Sequence, residues 1–529
     1  MDIKQKLTEA VFKSLELQES TSILWTVPKR NDQGDLSSNV AMLLAKELKM
    51  PPRKIAESIV DKVDWEELGI EKVEIAGPGF LNLWISNDHY HDIVKNILNS
   101  GPEYGSSNSG KGKKILVEFV SANPTGPLNV VSARSAAIGD SLVRLLNKAG
   151  YNADAEFYIN DAGRQIQRLG NSVLSIYKGE EVPEDGYHGD DVKDIVTRLG
   201  KELENIEDPD IAGKLAADIN IAKQKDVLLN FGVSFNRWFR ESELYESEAP
   251  DKRLSELEKM GALVEKDDAV WFAGSKYGDE DRVVVTSDGR KTYLLPDIAY
   301  HLTKADRGYA KAIDLLGPDH HDYIGRMKAA LKAFDHEGFL DVLIVQQVNL
   351  ISGGEKVKMS KRAGKLITLE ELVEEVGKDV ARYFFLQRKT SSPLDFDLDL
   401  AKEQSDQNPV YYVQYAHTRI CGILRQDGCP TPSAESDLNV LVHESEIELI
   451  KHLEQFDKYI SNAAENCEPQ RLVGYLNDLA TRFHKFYTNC HVISDDETLS
   501  KARATLIEAA RIVLAEGLNL LGVSAPERM

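Results

Sequence analysis

Apolar positions recur with two different periods along this chain, and the change of period divides it. In the first hundred residues, Ala41 to Leu48 and Arg53 to Val63 repeat at helical spacing on either side of the Pro51-Pro52 break. Val73 to Ala76 and Phe80 to Ile85 alternate like strands, and Gly77-Pro78-Gly79 makes the turn between them. Residues 1–105 therefore read as a small α+β domain. The stretch from Asn99 to Lys114, rich in Gly, Ser and Lys, reads as a linker.

Ile115 to Val120 is a short continuous apolar run, as expected of a strand buried on both faces. The loop Ser121-Ala122-Asn123-Pro124-Thr125-Gly126-Pro127 follows, and then a helical run from about Ser132 to Ala149. Strand, Gly/Pro turn and helix in that order open a doubly wound α/β domain, in which ligands bind at the carboxyl ends of the strands. Further strands are expected at Ile313 to Leu316 and Val342 to Val345. The domain spans 110–395 with an insertion at about 171–265, in which the charged stretch from Tyr177 to Asp210 reads as partly loose. From Leu398 the period is helical: Val410 to Leu424, Glu444 to Asn466, Pro469 to Cys490 and Leu499 to Leu521. The fold expected is α/β, a Rossmann-type parallel sheet at 110–395, with an N-terminal α+β domain and a C-terminal all-α helical bundle at 398–529.

A chain of 529 residues exceeds one ordinary core and suits roughly three domains. A 42% hydrophobic and 28% charged composition is that of a soluble globular enzyme. No run of about 18 apolar residues suggests a membrane span, and the start of the chain lacks the apolar centre of a signal peptide. Cys421, Cys429, Cys467 and Cys490 are scattered without a C-x-x-C pair, which fits free thiols in a reducing cytoplasm. The net charge of −22 argues against a general nucleic-acid binder but leaves room for a local basic face.

Candidate chemistry centres on Lys358-Met359-Ser360-Lys361-Arg362, which follows Ser352-Gly353-Gly354. Lysine is a compact ammonium on a flexible stem, suited to follow a phosphate whose charge grows during reaction. The glycines would let such a loop close over a nucleotide. A solvated basic loop is the alternative, and the pentapeptide alone does not separate the two.

Other strings decide it. In order they are Glu118-Phe119-x-Ser121-x-Asn123-Pro124-Thr125-Gly126-Pro127, Tyr158-Ile159-Asn160-Asp161-Ala162-Gly163-x-Gln165-Ile166, Phe231-Gly232-Val233-x-Phe235 with Trp238, and Asp281-Arg282-Val283-Val284-Val285. Pro296-Asp297-Ile298-Ala299-Tyr300-His301, Gly317-Pro318-Asp319-His320-His321, Tyr412-Val413-Gln414-Tyr415-Ala416-His417-x-Arg419 and the ending Leu521 to Met529 complete the series. With the lysine loop and the helical tail, the chain resembles a class I aminoacyl-tRNA synthetase, and these strings narrow the resemblance to arginyl-tRNA synthetases of the bacterial type, essentially from end to end.

The resemblance implies ATP carrying Mg2+ as co-substrate, L-arginine and tRNA(Arg) as substrates, no protein-bound structural metal, and a cytoplasmic monomer. It places Lys358, Ser360 and Lys361 at the departing pyrophosphate, with Asn129 and Ser132 at the ATP. Glu118, Asn123, Tyr293, Asp297, Asp319 and His320 are the candidate arginine pocket. Guanidinium presents a planar fork of donors that matches a carboxylate, so Asp297 leads, with Tyr293 four residues upstream on the same helical face. Alone, Asp297 after Pro296 would read as a helix N-cap or a surface charge. Phe80, Asn82 and Trp84 are the candidates for the tRNA elbow, and Tyr411, Tyr415, Arg419 and Met529 for the anticodon. Strand alternation and helical burial would make some of these core residues instead.

One departure stands out. The family's His-x-Gly-His signature reads Asn129-Val130-Val131-Ser132 here. Neutral polar contacts to a nucleotide survive, but Val131 crowds a base lying on the backbone. Two other readings follow: an inactive tRNA-binding relative, or a class I synthetase for another amino acid.

Overall fold

The computed structural model describes residues 3–18, 22–28, 30–357 and 367–529. Lys358, Ser360 and Lys361 lie outside the described residues. The chain forms two compact units, one of residues 1–101, 426–454 and 485–509, the other of 102–425, 455–484 and 510–529. This grouping cuts across chain order, because the long helices Gln470–Asn489 and Glu497–Leu520 each contribute to both.

The larger unit is built on five strands, β1 (Lys114–Glu118), β2 (Asn152–Ile159), β3 (Arg237–Arg240), β4 (Lys311–Leu316) and β5 (Leu340–Ile344). They lie in the order β5-β4-β1-β2-β3, all parallel. The winding reverses between β1 and β4, the topological switch point where such sheets place their ligands. Helix α1 (Val130–Lys148) crosses from β1 to β2 and buries Ala133, Ala136, Ala137 and Leu142. It lies so close to the sheet that a Cβ at Gly139 would sit 2.1 Å from the Phe119 ring. Helices α2 (Leu294–Asp306) and α3 (His321–Ala333) flank β4 in sequence, and both join one core with Ala312 and Leu340.

Two sequence expectations need correction, and a third concerns glycines that the structure places in a turn. The stretch from Tyr177 to Asp210 is not loose throughout: helix Asp190–Leu199 buries Val192, Ile195 and Leu199 in a core shared with Leu169, Val173, Ala212 and Ala216. Its apolar residues are few, but they recur at helical spacing. The expected helix from Glu444 to Asn466 is two helices, Glu444–Leu453 and Phe456–Glu465. No Gly or Pro marks that break, so local propensity gave no sign of it. Gly353 and Gly354, with φ of +60° and +77°, form the turn of a hairpin between Val348–Ser352 and Glu355–Lys356. Their conformational freedom is used in that turn, where Asp399 accepts the Gly353 N–H.

In the smaller unit, strand Phe80–Ile85 is the middle of a three-stranded antiparallel sheet. Leu81 and Leu83 point into the core, while Phe80 faces out and Trp84 is half-buried beneath the Lys72 ammonium. Asn82 departs from the expected surface position. It is buried and accepts a hydrogen bond from Ser37 at 2.8 Å, because a central strand has neighbours on both sides. Within the same unit Lys451 pairs with Asp35 and His89 with Glu454.

Candidate active site

Strand register brings three acids side by side: Glu156 on β2 is opposite Glu118 on β1, which is opposite Asp314 on β4. All three are buried, and unpaired carboxylates there would cost several kcal/mol each. Helix α2 supplies the counter-charge at helical spacing. Lys304, wholly buried, donates to Glu118 at 2.6 Å and to Asp314 at 2.8 Å. Arg307, just past the helix end, clamps Glu156 with both terminal nitrogens. The Tyr300 hydroxyl lies 2.9 Å from both Glu118 and Glu156 and shares its proton between them. His301 places one ring nitrogen 2.7 Å from the Asp314 carboxylate and the other 2.8 Å from the Asp297 carbonyl. The three acids thus meet Lys304, Arg307 and the His301 ring. Burial alone would raise Asp314, but Lys304 and His301 overcome it and hold the carboxyl at about 2. The same acids keep Lys304 protonated despite its burial.

Two further acids, Asp297 and Glu241, differ from this closed row. Asp297, in the first turn of α2, is half-buried, and no hydrogen bond or ion pair reaches its carboxylate among the described residues. Burial pushes it up to about 7; His301 and Arg326 pull it down, and Glu241 and Glu118 push it up. Glu241 follows the last residue of β3 and is buried. Tyr245 donates to it at 3.1 Å, the Asn160 amide at 3.0 Å and Tyr158 through its hydroxyl, all of them neutral donors. Burial raises its carboxyl as well. The rings of Tyr158 and Phe239 pack on Tyr300 at 4.6 and 4.7 Å and join the β2–β3 edge to α2. Tyr293 caps the start of α2, 78% exposed, and its carbonyl accepts the Asp297 N–H, so the expected helical spacing holds. Asp319 and His320 are exposed in the turn after β4, and Asn123 is exposed in the loop after β1. Glu118 is therefore placed in the closed row rather than with Asp297 and Glu241: Lys304, Tyr300 and Ser121 occupy its oxygens.

At the other side of that loop, Asn129 caps α1, its side-chain oxygen accepting from the Val131 and Ser132 N–H groups at 2.9 and 3.0 Å. Capping uses the oxygen and leaves the NH2 as the group to offer a ligand; the Ser132 hydroxyl lies 3.4 Å from the same oxygen. Asn129 also bridges to Thr368, and Leu369 donates to the Leu128 carbonyl at 2.8 Å. Thr368 and Leu369 thus lie against the start of α1.

Comparison with known proteins decides the family. Family models described as "Arginyl tRNA synthetase N terminal domain", "tRNA synthetases class I (R), catalytic domain" and "DALR anticodon binding domain" match residues 1–85, 93–182 with 176–395, and 413–529. The chain belongs to the arginyl-tRNA synthetase family. It is 45% identical to an arginine–tRNA ligase of Shouchella clausii, covering 97% of this chain and 95% of that one. An arginine–tRNA ligase of Geobacillus thermodenitrificans is 46% identical, covering 100% and 98%. A putative arginyl-tRNA synthetase structure from Campylobacter jejuni is 32% identical with a TM-score of 0.78, covering 84% of this chain and all of that one. The Thermus thermophilus arginyl-tRNA synthetase, at 22% identity, shares the fold over the full length of both chains with a TM-score of 0.79.

As a member of this family the chain carries a helix, Pro409–Leu424, with Tyr411, Tyr415 and Arg419 four residues apart on one stripe. The tyrosine rings stack at 6.2 Å and 6°, and Arg419 donates to the Tyr415 hydroxyl at 2.6 Å. The part-core expectation holds for His417, which is buried against the Pro526 carbonyl at 2.9 Å. Gln414 and Arg425 bond Ser524 and Glu527 and run the tail along the helix, leaving Met529 55% exposed. Sequence reasoning missed Glu241, Glu156, Asp314 and Lys304. Acids inside apolar strands of a central sheet are rare unless paired, and that signal was readable at Glu156 and Asp314. Glu241 was readable as an acid at a strand's carboxyl end.

Proposed function

We propose that the chain activates L-arginine with ATP and transfers it to the 3'-terminal ribose of tRNA(Arg). The arginine carboxylate attacks the α-phosphorus of ATP, pyrophosphate leaves, and a ribose hydroxyl then takes the arginyl group and releases AMP. The observation that carries this reading is Asp297, an acid in the first turn of α2 whose carboxylate no hydrogen bond or ion pair reaches among the described residues. A guanidinium supplies the missing charge and a matching donor fork. Tyr293 offers a hydroxyl or flat wall beside it, Asn123 a contact for the amino or carboxylate end, and Asp319 and His320 line the cleft. Glu118 acts from beneath, through Tyr300.

The Asn129 amide, the Ser132 hydroxyl and the first N–H groups of α1 meet the ATP phosphates. Lys358, Ser360 and Lys361 meet the β- and γ-phosphates as pyrophosphate departs, and Mg2+ arrives on the nucleotide. The enzyme is read as a cytoplasmic monomer with three functional parts, 1–105 for the tRNA elbow, 110–395 for catalysis and 398–529 for the anticodon. Phe80 and Trp84 serve the first, with Asn82 behind them. Tyr411, Tyr415, Arg419 and Met529 serve the last by stacking and phosphate contact.

Asn129 spending its side-chain oxygen on a helix cap favours one other reading, an inactive tRNA-binding relative. Arginine-dependent exchange of labelled pyrophosphate into ATP, with and without tRNA, separates the two. Exchange that requires arginine supports the ligase; none with any amino acid, from folded protein with matched tRNA, supports the relative.

A further inference from the structure

The loop between β1 and α1 carries Asn123 and leads to the Asn129 cap, and it begins in a costly conformation. Val120 and Ser121 have φ of +69° and +40°, a region that a β-branched residue avoids. Such backbone persists only where its surroundings over-determine it. At the β1 end, Ser135 accepts the Val120 N–H at 3.1 Å. The Ser121 hydroxyl donates to Glu118 at 2.9 Å and accepts the Tyr158 N–H at 3.1 Å. At the α1 end, Leu369 donates to the Leu128 carbonyl at 2.8 Å. Between these ends no backbone N–H reaches the Asn123, Pro124 or Gly126 carbonyl among the described residues.

The middle of the loop is held from the insertion instead. Helix Pro209–Asn230 buries Gly213, Ala216, Ala217, Asn220 and Gln224. Its beginning lies backbone to backbone on helix Arg164–Lys178: a Cβ at Gly213 would sit 2.2 Å from the Ile166 carbonyl oxygen, and one at Gly170 1.8 Å from that of Pro209. Further along, the buried residues are two amides. Asn220 donates to the Pro124 carbonyl at 3.0 Å, and Gln224 donates to those of Asn123 at 3.2 Å and Gly126 at 3.0 Å. The amides are 3% and 2% exposed. The Gln224 Oε1 atom is buried and meets no donor among the described residues. An unmet buried acceptor is unfavourable, so packing alone would favour an apolar side chain of the same length. What the glutamine adds is its two N–H groups. Asn123 thus has its carbonyl held while its side chain stays exposed.

We propose that Asn220 and Gln224 are positioning residues for the reaction, holding from the insertion the loop on which Asn123 meets the amino or carboxylate end of the amino acid. This rests on the reading of Asn123 as that contact. The ATP end of the loop is fixed separately, by Leu369 and by the Asn129 cap, so removing the amides loosens the amino-acid end alone. A displacement of about 1 Å is enough to weaken contacts to a bound substrate.

The test measures arginine-dependent pyrophosphate exchange by the full-length enzyme carrying Gln224→Met, Asn220→Leu, Asn123→Ala, or Gln224→Met with Asn123→Ala. Gln224→Met removes the unmet acceptor together with the donors, so its thermal unfolding midpoint is expected to stay near that of the wild type. Each amide variant is expected to raise the arginine KM about tenfold with the ATP KM within about twofold. Because Gln224 acts through Asn123, adding Gln224→Met to Asn123→Ala is expected to cost less than about twofold more. A structural role alone would lower the active fraction or move both KM values together, and either result would overturn the proposal. Arginine KM unchanged in both amide variants, with Asn123→Ala impaired, would do the same and leave the role of Asn123 standing. Effects that multiply in the double variant would show that Gln224 does not act through Asn123. An unimpaired Asn123→Ala would overturn the reading of Asn123 itself.

Discussion

Two groups of acids lie on the same sheet-and-helix scaffold, and the fold treats them in opposite ways. Glu118, Glu156 and Asp314 form a row across three strands, closed by Lys304, Arg307 and His301. Among the described residues, Glu241 receives hydrogen bonds from neutral donors only and the Asp297 carboxylate receives none. The difference teaches that acidic composition alone does not mark a cation site. Each acid of the row is bonded to a cation, Glu118 and Asp314 to Lys304 and Glu156 to Arg307. Asp297 is raised by burial and by the Glu241 charge, and Glu241 by burial and by Asp161.

The largest expected effect tests the closed row. Lys304→Met removes the buried cation shared by Glu118 and Asp314, and a loss of about 3–5 kcal/mol is expected in urea denaturation. An unchanged midpoint would mean that the row does not depend on its counter-charge. Next comes Asp297: Asp297→Asn is expected to raise the arginine KM about 100-fold, a cost of ~2.7 kcal/mol, with the ATP KM little altered. If ATP is lost equally, Asp297 holds the scaffold rather than the substrate.

The pH dependence of wild-type binding sharpens the contrast further. A cation binds the ionised form of Asp297, so arginine affinity should rise about tenfold per unit up to about pH 7 and level off above it. Calorimetry in two buffers should show protons released on binding near neutral pH, and absence of release would place the titrating acid elsewhere. The smallest effect is on stability. A carboxyl whose folded value is raised favours the fold at low pH, and that contribution is lost as pH rises through about 7. Asp297→Asn should therefore raise Tm by a few degrees at pH 8, by about a third of that at pH 5 and hardly at pH 4, measured by thermal denaturation.

Legibility in the sequence followed the range of the interactions. Phe80–Ile85 and the helix Pro409–Leu424 fall where periodicity puts them, because neighbours in sequence fix both patterns. The helix between Tyr177 and Asp210 was harder to see, since its three buried residues gain their partners from helices on either side in the chain. The break after Leu453 has no local cause at all. Among site residues, Asp297 was legible through its motif, and its helical relation to Tyr293 came with it. Glu118 was legible as important, but its membership of the closed row depends on Lys304, 186 positions away.

By itself the sequence determined the strand and helix periods, the motif order and the residues able to carry the chemistry, because these depend on neighbours and on side-chain identity. Which acids are neutralised was decided only by the tertiary structure. Parallel register aligns Glu156, Glu118 and Asp314, and one face of α2 brings Lys304 and His301 over them, while the Asp297 carboxylate, a turn away from His301, has no bonded partner among the described residues. Charge compensation falls off over a few ångströms, so it follows distance in space rather than distance along the chain.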